Sequence, residues 1–146
     1  MNISDLYPLT INRTRSLKQM IAAGRYAYQH PDITAEHFPL NSGGHQQRAV
    51  AVLVHFERFI TNTAAKRAIT RLDLRQADLD EILAFGAEYR DVQRLFPIVE
   101  LGSVWEDHYR NRSVAYLCVH NGERQLDLRR IENDWHDDYR FLAVAR

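Results

Sequence analysis

The chain has 146 residues, is 45% hydrophobic and carries 19 basic against 19 acidic side chains. That length suits one domain with a real core and leaves a second too small to stand, and the zero net charge speaks against the concentrated basic surface of a nucleic-acid binder. A single cysteine, Cys118, excludes an intrachain disulfide; no apolar run approaches the roughly 18 residues that span a bilayer, and no basic, apolar leader follows Met1, so the expectation is a cytoplasmic protein.

Ser16 and Gln19 have capping-box spacing, Leu17, Met20 and Ile21 share a face, and Gly24 offers a stop, which predicts a helix over 16–23. Thr34 is placed to cap a turn running to Phe38 before Pro39, and residues 41–45 (Asn-Ser-Gly-Gly-His) read as a loop in which His45 is an exposed imidazole. Residues 49–56 are the clearest strand: Val50, Val52, Val54 and Phe56 line one face and Ala49, Ala51, Leu53 and His55 the other, both largely buried. Thr61 to Thr63 supply capping oxygens for a helix over 64–72 with Ala65, Ala68, Ile69 and Leu72 inward, and a second helix starts near Asp78, where Leu79, Ile82, Leu83 and Tyr89 recur at helical spacing. Gly86 in that helix allows another element to approach closely, and residues 90–96 add a turn before Pro97.

From Ile98 the pattern turns to β. Strands are expected at 98–101, 114–120, 123–130 and 141–145, with Asn121-Gly122 as a two-residue hairpin turn whose positions both need positive φ. The expected fold is α+β: N-terminal helices and a central strand, then a β-rich half with a mostly antiparallel sheet, as a single domain over 1–146.

Charge is divided along the chain. Residues 1–75 hold 10 basic and 5 acidic side chains, leaving 9 and 14 for residues 76–146, an asymmetry that either steers a partner or neutralises itself within the fold. Of the 19 basic residues 17 are arginine, whose planar fork suits carboxylates, phosphates and aromatic faces. Arg67, Arg71 and Arg75 at four-residue spacing read as one helical face, either solvated and paired with Asp73 or Asp78 or open to phosphates or an acidic protein.

One internal echo stands out. Trp105, Asp107, Tyr109 and Arg110 match Trp135, Asp137, Tyr139 and Arg140 in a W-x-D-x-Y-R pattern thirty residues apart. Either both segments enter strands, with Trp and Tyr packing and Asp bonded to backbone or Arg, or they converge on one cleft where aromatics form the walls and the charged groups fix a ligand. Asp107, His108, Asp134, His136 and Asp137 furnish a competing acid-base or metal centre of a small hydrolase or nuclease, although their spacing fits no defined ligand geometry, so neither a metal nor another cofactor is assigned. Cys118 sits in an apolar alternating run and reads as a small buried hydrophobe, with a nucleophile as the alternative. No nucleophile elbow, phosphate loop, His-Glu-x-x-His or dinucleotide fingerprint is present, and the sequons at Asn12 and Asn111 mean nothing without export.

The stretches 54–59 (Val-His-Phe-Glu-Arg-Phe), 81–86 leading to 96–103, and 133–135 with 139–144 together resemble a family of small uncharacterised bacterial proteins over roughly residues 16–146. The element order also looks like C-type-lectin-like domains, which implies a ligand-binding scaffold. The paired cysteines of that group are absent and Asn133-Asp134-Trp135 reverses its Trp-Asn-Asp motif, so neither sugar nor calcium carries over. The sequence therefore reads as a noncatalytic binding or interaction domain, a regulator or inhibitor of another macromolecule, with a protein as partner and the two echoed clusters as its surface; a structural subunit is the third alternative.

Overall fold

The structure, a computed structural model, describes residues 1–39 and 45–146. Strands β1 (Asn2–Ile3) and β2 (Tyr7–Asn12) lead into helix α1 (Leu17–Gly24), followed by β3 (Tyr28–Gln29) and the long β4 (Gln46–His55). Helix α2 (Asn62–Arg71), β5 (Leu74–Gln76), α3 (Leu79–Glu88) and a 3-10 turn at Val92–Arg94 come next. Then follow β6 (Ile98–Val99), β7 (Trp105–Glu106), β8 (Arg112–His120), β9 (Glu123–Arg130) and β10 (Arg140–Ala145). The fold is α+β, with three helices against a ten-stranded, mostly antiparallel sheet among the described residues.

The sheet order is β1-β4-β10-β6-β8-β9-β3, with β2 also on β4, β5 on β10 and β7 on β8. Only β10 with β6 and β3 with β9 run parallel. Local chemistry sets the helix ends. Ser16 and Gln19 cap each other's backbone N–H, Asp78 and Glu81 do the same for α3, and Thr61 accepts the Ala64 N–H at the start of α2. The hairpin turn has φ of 51° at Asn121 and 76° at Gly122, as the I′-type turn requires. Gly24 is the last residue of α1 rather than its stop, and Arg25 takes the left-handed position with φ of 51°. The loop expected at 41–45 falls, His45 apart, outside the described residues.

Alternation along the strands makes two cores, one on each face of the sheet. Ala51 and Leu53 of β4, Ile98 of β6, Leu117 of β8 and Leu142 and Val144 of β10 face the first, which α1 and α3 cover through Leu17, Met20, Ile21, Leu79, Ile82 and Phe85. Val52, Val54, Val99, Val114, Phe141 and Ala143 face the second, which holds Ala65 and Ile69 of α2 together with Phe56, Ile60 and Trp135. Two buried faces are why β4 and β10 read as continuous apolar runs.

Charge is buried where α3 begins. Arg13 donates to Asp80 at 2.6 Å and to Gln47 Oε1 at 2.8 Å, tying β2 and β4 to the helix. Arg75 lies in β5, beyond the end of α2, and grips Glu81 through two bonds at 2.8 and 2.5 Å; it therefore shares no helical face with Arg67 and Arg71, because the helix ends at Arg71. Glu100 is fully buried and accepts the Ser103 N–H at 2.8 Å. Burial pushes Asp80 up to about 6, with Asp78 adding to the shift and Arg13 opposing it. Burial likewise holds Glu100 well above the ordinary carboxylate range against the backbone N–H groups of Ser103 and Ala115.

Candidate functional site

The two echoed segments share a local plan but not a place. In the first, Trp105 pairs across β7 with Ser113 of β8, stacks on His37 at 4.1 Å between ring centres, and packs against the first core. Asp107 then organises the turn that follows, accepting the N–H groups of Tyr109 and Asn111, both at 2.9 Å. Desolvation raises the Asp107 carboxyl, and the bonds from Asn111 and Tyr109 outweigh it, holding the group below its ordinary range. Tyr109 is 75% exposed with His108 against its ring, and Arg110 ends the turn at φ 66°.

In the second segment Trp135 is fully buried in the other core and bridges Ile60 through backbone bonds of 3.0 and 2.8 Å. Its ring meets Tyr139 and Phe141 edge-on, at 5.2 and 5.8 Å. The backbone carbonyl of Asp137 accepts from His55 Nε2, and its carboxylate is exposed. Tyr139 is buried, and Arg140 lies 4.0 Å over the Phe96 ring while donating to the Asp138 carbonyl. Trp105 and Trp135 thus pack on opposite faces of the sheet, and no cleft among those described is lined by residues from both echoed motifs. His136 lines a groove that neither Asp107 nor His108 lines, and among the described residues no three His, Cys, Asp or Glu side chains are placed to hold a metal ion.

The second segment does border a groove of about 780 Å³ on the α2 side of the sheet, over the part of the β8–β9 hairpin that Trp135 leaves uncovered. Hairpin register builds its floor. Tyr116 stands opposite Asp127 and Cys118 opposite Gln125, with Arg129 two residues further along β9, while Leu117 and Leu126 of the same strands point to the opposite core. Phe96 and Pro97, leading into β6, form one wall, and His136 and Tyr139 form another. Gln93 anchors the near end, donating to the carbonyls of Cys118 and Gln125 at 2.8 and 3.2 Å.

Electrostatics fixes what this floor can do. Burial pushes the Cys118 thiol up to about 11, with the Asp127 charge adding and Tyr116 opposing. Burial also raises both Tyr116 and Tyr139, the latter against the pull of Arg129. At neutral pH all three are protonated and offer hydrogen bonds. Arg129 donates to the Asp134 carbonyl at 2.9 Å, and its guanidinium rests 5.4 Å from the Trp135 ring and 5.5 Å from the Tyr139 ring. Asp127 uses one oxygen for the Leu128 N–H at 2.8 Å. Among the described residues neither Asp127 nor Arg129 forms an ion pair, and Arg129 Nε and Gln93 Oε1 are buried without a protein partner.

No family model, curated protein or solved structure matches this chain. Of the eight residues singled out in the sequence, Tyr139 lines the groove, Trp135 and Arg140 support it from behind, Asp137 is exposed outside it, and Trp105, Asp107, Tyr109 and Arg110 lie elsewhere. Tyr116, Gln93, Asp127 and Arg129 were not singled out. Their signal was the alternation itself, since Gln125, Asp127 and Arg129 give β9 a polar face opposite Leu126 and Leu128, and that face meets Tyr116 and Cys118.

Proposed function

We propose that the protein is a noncatalytic binding domain that takes its ligand in the β8–β9 groove. The observation that carries this reading is the groove floor: a half-buried guanidinium and carboxylate without ion-pair partners, set beside protonated tyrosine and cysteine side chains. Partly buried charges lacking an ion-pair partner cost stability, and a concave surface with a few converging polar groups and apolar walls is how small-ligand sites are built. The roughly 780 Å³ of the groove lies within the range of about 300–1,000 Å³ common to such sites. The raised Cys118 thiol favours recognition over covalent catalysis. Trp135 and Arg140 enter this reading as supports of the groove, and a macromolecular partner would present its contacting segment there.

A fragment screen by amide NMR tests the reading. Ligands should shift the signals of residues 116–119 and 125–129 in a saturable way. A library whose hits all map away from the hairpin, or which yields no hit, would refute it.

A further inference from the structure

Toward the other end of the sheet from the hairpin groove lies an open strand edge. β2 bonds β4 on one side and no other strand among the described residues. Which of its backbone groups face outward follows from the register. The Arg13 N–H donates to the His45 carbonyl at 3.0 Å, one step beyond the Asn12–Gln46 pair. Alternation therefore turns Ile11, Leu9 and Tyr7 toward β4 as well and leaves Pro8, Thr10 and Asn12 on the open side. Proline fits that side, where its missing N–H breaks no bond of the ladder, and the outward Pro8 carbonyl accepts the Tyr89 hydroxyl at 2.6 Å. At the far end the Asn12 carbonyl accepts the Arg15 N–H at 3.3 Å. The edge thus lacks a donor at Pro8 and has an acceptor already in use at Asn12, with Thr10 midway between them.

Turned by a two-fold axis through Thr10, this pattern complements itself. Thr10 and the partner's Thr10 would exchange both backbone bonds, and each Asn12 N–H would meet the Pro8 carbonyl of the other copy, which has a second lone pair to accept it. The Pro8 nitrogen falls opposite the one carbonyl that Arg15 already occupies. Sliding the pair by two residues spoils this match: one way sets the Thr10 carbonyl against the Pro8 nitrogen, and the other sends the Thr10 N–H to the occupied Asn12 carbonyl. Charge follows the same symmetry. Arg15 and Glu88 are exposed, form no ion pair among the described residues, and border a cleft of about 230 Å³ along Thr10, Ile11 and Asn12. Glu88 also borders a second cleft, of about 470 Å³, along Pro8, Leu9 and Thr10, which Arg48 lines as well. Arg15 therefore belongs to the Asn12 end of the edge, Glu88 extends toward the Pro8 end, and an antiparallel pair joins opposite ends. We infer that β2 is a dimer edge, on which a second copy of this chain adds antiparallel about Thr10 with Arg15 of each copy facing Glu88 of the other. This interface is independent of the groove and goes beyond the reading of it.

Sedimentation equilibrium of the full chain at low salt, from about 5 μM to about 1 mM, tests this, with amide hydrogen exchange at both ends of that range. The chain should be a reversible dimer, and the Thr10 and Asn12 amides should gain protection with concentration while those of β3, at the opposite edge of the sheet, do not. Arg15→Glu and Glu88→Arg should each raise the dimer Kd at least about tenfold, and the double variant should return it to within about threefold of the parent, because the swapped charges again face each other. Both residues are exposed, so neither reversal disturbs the core. Thr10→Pro, which removes an N–H that the fold does not use, should weaken the dimer by a similar factor. A chain monomeric up to about 1 mM would overturn the proposal and leave the edge to a strand of another protein. A dimer indifferent to all three substitutions, or a double variant no tighter than either single one, would overturn it too.

Discussion

Asp80 offers a sharp test of the buried charge network. It is 4% exposed, and burial with the neighbouring Asp78 pushes its carboxyl up to about 6 despite the Arg13 guanidinium at 2.6 Å. A carboxyl raised in the folded state stabilises the fold below the unfolded value of about 4, and that stabilisation is lost as pH rises through about 6. A shift of about two pH units corresponds to about 3 kcal/mol between pH 4 and pH 7.5. Asp80→Asn keeps an acceptor for Arg13 but cannot ionise, so the variant should lack this loss. Urea unfolding of both proteins at half-unit steps from pH 4 to pH 8 measures it, and the stability of the variant relative to the parent should climb by about 3 kcal/mol across that window. Taking the difference cancels the other titrating groups, Glu100 and Asp78 included, to the extent that they do not couple to Asp80. Parallel pH profiles, or a relative stability that falls with pH, would refute the reasoning.

Three further outcomes follow from packing and burial. A side chain at Gly86 would overlap the Tyr26 hydroxyl and press on Leu117 at 3.1 Å, so Gly86→Ala should cost about 1–3 kcal/mol despite its better helix propensity. The Tyr26 hydroxyl is buried without a partner among the described residues, so Tyr26→Phe should be nearly neutral and should at least halve the cost of Gly86→Ala; equal costs in both backgrounds in chemical denaturation would count against this. Trp135→Ala should cost about 3–5 kcal/mol and abolish most near-ultraviolet circular dichroism from the second core, whereas Trp105→Ala, at a half-buried stack on His37, should cost under half as much in the same denaturation assay. Cys118, with its thiol at about 11, should react with iodoacetamide at pH 7 at least about twentyfold more slowly than a free cysteine, the rarer thiolate outweighing its greater nucleophilicity; alkylation as fast as the free thiol would contradict the burial argument.

Elements whose own residues carry the signal were legible in the sequence. The capping boxes at Ser16 and Asp78 and the Asn121-Gly122 turn locate α1, α3 and the hairpin closely, because each rests on side chains bonding backbone within three residues. β1, β3, β5 and β7 were not legible, since these strands of two or three residues exist only through their longer partners and have no periodicity to read; the equally short β6 showed through its apolar Ile98-Val99 pair, which read as a strand two residues too long. β2 is six residues long, but Pro8 interrupts its alternation, and the strand rests on pairing with β4 across a separation of about forty residues. The site divides in the same way. Aromatic and acidic residues at 105–110 and 135–140 drew notice because they are dense in sequence, yet the sheet sends their tryptophans to opposite faces. The groove residues are scattered over 93, 116, 127 and 129; the β8–β9 register brings the last three together, and the bonds of Gln93 to the Cys118 and Gln125 carbonyls add the first.

The position of β10 has a consequence for how the chain is made. It runs between β4 and β6 and also pairs with β5, so its six residues bond segments that lie some forty to ninety positions earlier. During synthesis β4 leaves the ribosome long before residues 140–145 exist, and one entire side of it, flanked by Val52, Val54, Ala51 and Leu53, must wait as an open template for other strands. Nascent chains stalled ahead of Arg140 should therefore be the aggregation-prone species, and the sheet can close only after translation has passed that point.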